Sequence, residues 1–499
     1  MSKYDFAIVG GGLGGLLCGN ILSKEGFNVA VIEKNPKVGG CLQTFVKDGC
    51  TFDAGGHYAG GLDEGQNLYR YFKYFGLTDK LKLKRLDETG YDIISFGDEK
   101  DKEYRFASGY DNFIETLAMN FPGENEVIKN YIKKLQEINS SFPLYNLEAD
   151  KSSIEESARY TESIGSFLEK LTNNKRLQNV LAGNNFLYAG TADKTPVYLH
   201  SLITGSFIES SWKFINGSSQ ITDALAENIR NLGGTIYTDS EAVKFNVSEG
   251  KLTGVRLVNG ERIEADNFIS NVHPTLTMEM FEPEDVRNVH RSRIVNLENT
   301  VSVFSLYIVL KKNSFKYLNS NHYFFKRNFV WSADLSPGTD PESYLLITPA
   351  EDEGEVYSKS IVILNAMKYD EVREWENTRV GKRGRDYLDY KLEKAEKILD
   401  LAEIKFPGLR KHIEKYYTST ALTYRDYTGT KEGSMYGIMK NCNNHLRTLI
   451  LPRTKFRNLF LTGQNIKIHG ILGVTIGTVL TCGEILGLEY LMNKIRQSS

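Results

Sequence analysis

Between an apolar run, Phe6–Val9, and apolar residues at helical spacing, Leu16–Gly26, five of the six positions from Gly10 to Gly15 are glycine. A backbone that bare suits the close approach of a pyrophosphate. Gly10 allows the sharp turn out of a strand, Gly12 lets the main chain come near phosphate oxygens, and Gly15 lets helix and strand pack closely. The helix that follows turns its unpaired N–H groups toward the same phosphates. "NVAVIEK" then reads as a second strand, which completes a βαβ unit. Glu33 ends it, 18 residues past Gly15, where a carboxylate can take both ribose hydroxyls and repel a 2′-phosphate. Lys34 stands beside it. The unit predicts dinucleotide binding in preference to a merely structural turn.

Three further stretches carry residues able to do chemistry. "EKNPKVGGCLQTF" places Gly39 and Gly40 six residues after Glu33, a doublet that a plain NAD site does not need. "FDAGGHYAGG" sets Gly55 and Gly56 directly before His57 and Tyr58. A histidine there can give or take a proton near neutral pH, although a satisfied histidine that merely holds the loop is the competing reading. "NLFLTGQNIKIHGILGVTIG" brings Gly463, Gly470, Gly473 and Gly477 together near the C-terminus, where the backbone again crowds a ligand or only packs a helix. No second βαβ unit with a GxGxxG turn occurs, so a second dinucleotide site is not expected. Tyr436, Glu432 and Lys431 are further pocket candidates. The five cysteines lack metal spacing and are odd in number, so no metal site and no disulfide framework is expected, and a reducing compartment suits them. Cys41 has no CxxC partner and reads as a small packed residue.

The elements that must position these residues follow from periodicity. Residues 76–204 read as mostly helical, with stripes in "YDNFIETLAMNF", "EVIKNYIKKLQEI" and "SIGSFLEKLTNNKRLQNVLAG". Asn216–Val247 returns to a helix, a glycine pair and a strand, followed by a hairpin turning at Asn259-Gly260. β-rich runs in 276–449, with the charged helix "DYLDYKLEKAEKILDLAEI", predict an antiparallel sheet with helices. The fold class is therefore α/β, a Rossmann-like βαβ nucleotide-binding domain with an inserted α+β substrate domain. The first is expected over 1–75, 205–275 and 450–499, and the second over 76–204 and 276–449.

Bulk properties agree with this. A chain of 499 residues with 41% hydrophobic and 25% charged content can bury a large core in two domains. A net charge of −2 gives no reason to expect nucleic acid as a partner. The apolar stretch Leu459–Met492 is broken by Lys467, His469 and Glu484, unlike a membrane span. With no basic n-region ahead of the first strand, a cytoplasmic location is expected. Aromatics interleaved with Lys and Arg in Tyr69–Leu86 and Lys311–Trp331 suit peripheral contact with a lipid surface, or equally a hairpin and helix with solvated charges.

The motifs also carry a resemblance. The Gly39-Gly40 doublet resembles that of the flavoproteins related to glutathione reductase and the amine oxidases, where it lies along FAD. "VGGCLQTF", "FDAGGHYAGG", "RLDETGYDIISF", "GTKEGSMYGIM" and the closing glycine motif resemble the phytoene desaturase, carotenoid isomerase and retinol saturase family, with the retinol saturase branch fitting best. The likeness runs from Asp5 to about Glu484 and is strongest at the two ends and around 216–272. Leu42 and Gln43 stand where that branch often has Cys and His, and Gly56 precedes His57 where it has a branched residue.

The resemblance implies FAD as cofactor. It implies that Gly10, Gly12, Leu13, Gly14 and Gly15 hold the diphosphate, Glu33 the adenosine ribose, and Gly39 and Gly40 the ribityl side, with a backbone group near Val243 at the adenine. Gly463 and Gln464 would meet phosphate and ribityl hydroxyls, while Gly473, Val474 and Thr475 would lie by the isoalloxazine. His57 and Tyr58, after the Gly55-Gly56 turn, would stand near the reactive face. The implied reaction saturates, desaturates or isomerises a carbon–carbon double bond of an apolar polyene, with an external electron donor or acceptor. Two other readings stay open: a flavin amine oxidase, which needs an aromatic cage, and a non-enzymatic prenyl or lipid carrier of the Rab escort type, in which the diphosphate-binding features are eroded.

Overall fold

The computed structural model of the chain describes residues 3–99, 101–149, 157–338 and 340–498. Strand Tyr4–Val9 lies centrally in its first sheet. Val29–Ile32 and then Thr235–Tyr237 run parallel to it on one side, and Arg262–Ser270 on the other. All four residues of Val29–Ile32 are buried, which is why "VAVI" reads as a continuous apolar run: a parallel strand is covered on both faces. Arg262–Ser270 is long enough to pair twice. Its start, Arg262–Glu264, pairs antiparallel with Gly254–Arg256, and its end, Phe268–Ser270, pairs parallel with Leu459–Leu461. Helix Leu13–Lys24 packs against the closing helix Gly470–Leu486 and against Ser219–Asn231.

The second sheet has seven strands, in the order Ile413–Ser419, Ser302–Leu310, Ser360–Met367, Ser343–Ile347, Asn321–Phe325, Asp92–Phe96 and Glu103–Phe106. Ser302–Leu310 is buried at every position because its two faces meet different layers. Val303, Tyr307 and Val309 join the core shared with the first sheet, while Phe304, Leu306 and Ile308 pack with Ala395, Ile398 and Leu399 of the helix Arg385–Lys405. The period of two in its apolar residues thus sorts one strand between two cores.

Two expectations are corrected. The stretch 76–204 holds strands Leu83–Arg85, Asp92–Phe96 and Glu103–Phe106 ahead of its helices. "DIISF" is too short to show a period; it pairs antiparallel with the nearby Glu103–Phe106, while its other partner, Asn321–Phe325, lies more than two hundred residues away. Because Asp92–Phe96 pairs parallel with Asn321–Phe325, the second sheet is mixed and not purely antiparallel. The stripes in "SIGSFLEKLTNNKRLQNVLAG" belong to two helices, Ile164–Leu171 and Lys175–Leu181; Asn174 caps the second by accepting from the Arg176 and Leu177 N–H groups. Among the described residues, no helix is long and apolar enough to cross a membrane.

Candidate cofactor and substrate site

The glycine turn at the end of the first strand is built as close packing requires. Gly10 takes φ +100°, and a Cβ on Gly15 would stand 2.1 Å from the Gly10 carbonyl oxygen. Gly15 therefore packs strand on helix and does not line the cavity described below. Helix Leu13–Lys24 has Gly12 as its N-cap and no side-chain cap, so its first N–H groups are left for a ligand. The second doublet lies alongside: Gly39 N donates to Gly11 O at 2.8 Å, and Gly12 bridges Gly39 in parallel.

Glu33 is buried and does more than the expected ribose contact would ask. Its Oε2 accepts from Gly11 N at 2.8 Å, and its Oε1 accepts from Asn35 N at 2.9 Å and Asn35 Nδ2 at 2.8 Å. The carboxylate thereby ties the glycine turn to the end of the second strand. Lys34 lines the cavity while its Nζ donates to Asp426 O at 2.7 Å. Val243 sits at the rim, 39% exposed. Two residues that the sequence reading passed over belong here. Gly11 binds Glu33, and Asn271, one residue past Arg262–Ser270, donates from Nδ2 to Gly10 O at 3.1 Å. Asn271 Oδ1 would lie 2.6 Å from a Cβ on Gly14 and 2.4 Å from one on Gly463. It stands where the two ends of the chain meet.

The Gly55-Gly56 turn is fixed from below. A Cβ on Gly56 would stand 2.3 Å from Leu42 Cδ2, and Asp53 Oδ1 accepts from Ser218 N at 2.7 Å and Ser218 Oγ at 2.8 Å. His57 follows, half-buried and lining the cavity. Desolvation lowers its pKa to about 4, so the imidazole is neutral at ordinary pH. Tyr58 also lines the cavity, yet its hydroxyl lies 2.6 Å from the Tyr323 hydroxyl and 3.2 and 3.3 Å from the Asp92 carboxyl oxygens, two residues that are not part of the lining.

At the C-terminal side, Gly463 takes φ +88° and lines the cavity with Gln464. The helix Gly470–Leu486 begins at N-cap His469 without a side-chain cap. A Cβ on Gly473 would stand 2.6 Å from the Ile468 carbonyl carbon, which closes the turn tightly against the helix. Gly473 and Val474 line the cavity, whereas Thr475 does not: its Oγ1 donates to Ile471 O at 2.8 Å within its own helix. Of the further candidates, Tyr436 lines the cavity, and Lys431 and Glu432 do not. Lys431 Nζ instead donates to Val295 O at 2.6 Å. The Tyr436 ring stacks on His469 at 4.2 Å. Burial pushes the Cys41 thiol up to about 11, which keeps it protonated and unreactive.

All these surfaces open on one cavity of about 500 Å³. One end is formed by the glycine turns. Its far end is apolar, walled by Phe186, Leu202, Phe207, Val303, Leu345 and Leu364 among others.

A family model described as flavin containing amine oxidoreductase matches residues 13–470. The chain belongs to this family. It is a flavin-dependent oxidoreductase, and its resemblance to the retinol saturase branch is borne out by the relatives. All-trans-retinol 13,14-reductase of Rattus norvegicus is 26% identical, covering 99% of this chain and 88% of its own length. Prolycopene isomerase 1, chloroplastic, of Oncidium hybrid cultivar is 24% identical, covering 98% and 85%. The solved structure of an oxidoreductase from Methanosarcina mazei shares the fold, with a TM-score of 0.66 at 16% identity over 95% of this chain and 98% of that one.

The residues present fit a flavin. Two helix starts without side-chain caps, at Leu13 and Gly470, face one cavity between them. Between the cradle and the apolar end, His469 Nε2 is buried with no hydrogen-bond partner, and an unpaired buried polar atom in a cavity wall suits a polar ligand edge. Burial lowers the pKa of that imidazole to about 3, so it meets such an edge uncharged.

Proposed function

We propose that this chain is an FAD-dependent oxidoreductase that acts on a carbon–carbon double bond of an apolar polyene of the retinoid or carotenoid kind, with reduction as the favoured direction. The observation that carries the reading is the single cavity, which joins a complete glycine cradle to an apolar chamber without a charged wall group at its far end. Apolar walls hold a long hydrocarbon by burial, not by polar handles. The names of the relatives, a retinol reductase and a prolycopene isomerase, point the same way. FAD is preferred over a shorter flavin because Glu33, Lys34 and Val243 extend the lining beyond the diphosphate turn to where an adenosine would lie.

In this reading 1–75, 205–275 and 450–499 form the FAD-binding domain, and 76–204 and 276–449 the substrate domain. Leu13 and Gly14 offer N–H groups to the diphosphate, Gly39 and Gly40 flank the ribityl chain, and Gly463, Gln464, Gly473 and Val474 hold the flavin end. Bound FAD supplies hydride exchange with one carbon of the double bond, eased because conjugation spreads charge along the chain. The apolar chamber excludes water from that exchange. His57, neutral and without a hydrogen-bond partner among the described residues, is placed to accept or return a proton at a ring nitrogen. Electrons come from an external carrier. A cytoplasmic enzyme in peripheral contact with a lipid surface, from which it draws its substrate, completes the reading.

The test is anaerobic mixing of the dithionite-reduced holoprotein with all-trans-retinol and a panel of carotenoids, followed by mass spectrometry. A gain of two hydrogens supports saturation, and unchanged mass with shifted retention supports isomerisation. No change in any polyene overturns the reading.

A further inference from the structure

Two rings that the reading above leaves unused meet in the cavity wall. Tyr436 and His469 both line the cavity, with centroids 4.2 Å apart and planes 24° from parallel. The pairing is built by the backbone. The segment that carries Tyr436 is strapped along the loop that leads to His469: Ile438 N donates to Asn465 Oδ1 at 2.9 Å, and Lys440 Nζ donates to Asn465 O at 2.7 Å. Between them Gly437 has to be bare, because a Cβ there would stand 2.1 Å from Asn465 Oδ1. From the other side Thr300 holds the same segment. Its Oγ1 accepts from Tyr436 N at 3.1 Å, and its N donates to Gly437 O at 2.8 Å. His469 is only 3% exposed, yet its Nε2 has no partner, and its imidazole makes no hydrogen bond among the described residues. A phenylalanine would stack on Tyr436 without leaving a buried nitrogen unpaired. An orphaned polar atom in the wall of a ligand cavity points to a partner that arrives with the ligand.

We propose that His469 and Tyr436 form a clamp on the flavin ring, in which the uncharged imidazole gives a hydrogen bond to a polar edge of the ring and Tyr436 is the positioning residue that fixes the imidazole plane. The clamp rests on the FAD of the function proposed above and not on its polyene. Burial, with the charge of Lys440 adding to it, holds the imidazole well below the usual histidine range. One ring nitrogen therefore keeps a proton to donate, and the side chain brings no charge of its own. Hydrogen bonds to a cofactor's ring tune its electronics. A donor favours the electron-rich reduced flavin over the oxidised one, so the clamp raises the midpoint potential as well as the affinity. Tyr436 acts through its ring: the stack stops the imidazole from swinging, and the strap along Asn465 stops the stack from sliding.

The test needs no substrate. His469→Phe keeps the stack and removes the nitrogens. Its apoprotein should melt no lower than the wild type, since an unpaired buried nitrogen is gone. Its dissociation constant for FAD, read from the quenching of flavin fluorescence, should nevertheless rise roughly three- to tenfold, and the midpoint potential of the bound flavin, measured against a reference dye, should fall. His469→Gln keeps a donor and should recover part of both. Tyr436→Phe keeps the ring and should leave both unchanged, whereas Tyr436→Ala should shift them in the direction of His469→Phe. A His469→Phe protein that holds FAD as tightly as the wild type, at the same potential, overturns the proposal. So does one whose apoprotein melts lower while the potential stays put, because that histidine would only be packing. A wild type that takes up no FAD overturns the clamp together with the proposed function. One that binds FAD but converts no polyene overturns the function alone, and affinity and potential then decide the clamp.

Discussion

Under the proposed function Glu33 would both bind the cofactor and shape the turn that holds it. Because it accepts from Gly11 N as well as from Asn35, Glu33→Ala is expected to cost flavin affinity twice. A lost charge-assisted hydrogen bond is worth about 1.5–3 kcal/mol, so the dissociation constant should rise roughly ten- to a hundredfold in a fluorescence titration. Gly14→Ala is a harder test: its Cβ would stand 2.9 Å from Gly463 Cα, and the purified variant should lack the oxidised-flavin band near ~450 nm. At this scale the sequence was legible where residue type is dictated by backbone geometry. Gly10 and Gly39 announce themselves because their backbone, at φ +100° and +123°, is one that side chains rarely adopt. Asn271 and His469 do not, since an asparagine or a histidine is ordinary anywhere, and only the fold brings them to the cavity.

The closing helix separates residues that a motif carries together. Gly473 and Val474 face the cavity, while Thr475, next in line, turns its hydroxyl onto the Ile471 carbonyl. Thr475→Val should therefore retain a full complement of flavin and lose about 1 kcal/mol of stability to denaturant, the usual worth of one buried hydrogen bond. Gly473→Ala should lose both, because the Ile468 backbone occupies the space for its Cβ. Helices with clear 3.6-residue stripes, such as Asn125–Ser140 and Arg385–Lys405, could be placed from sequence alone. The strand Asp92–Phe96 could not: five residues carry too little periodicity, and its pairing with Asn321–Phe325 is a long-range fact.

Across the whole molecule, buried ionisable groups set the response to pH. Burial lowers the pKa of His57 and His273 to about 4 and of His200, His322 and His469 to about 3. Groups with depressed folded pKa contribute stability above their unfolded value, and that stability is lost as pH falls below about 6.5 toward those values. Asp53, Asp92 and Glu209, raised to about 6, 7 and 7, act oppositely and gain over the same range. The histidines are more numerous and further shifted, so the melting temperature of the holoprotein should drop between about pH 7 and pH 4. Calorimetry checks the sign, and a rise would show that the carboxyls dominate.

The double pairing of Arg262–Ser270 has a consequence for how the protein is made. Its outer edge at Phe268–Ser270 is covered only by Leu459–Leu461, and Thr462 N then donates to Ser270 O at 2.9 Å. Until Leu459–Leu461 has left the ribosome, the cradle lacks its far wall, and a nascent chain has nowhere to seat a prosthetic group. Loading must therefore follow the making of that segment, so a cell short of riboflavin should accumulate colourless chains, exposed to proteolysis because nothing has yet shifted their folding equilibrium.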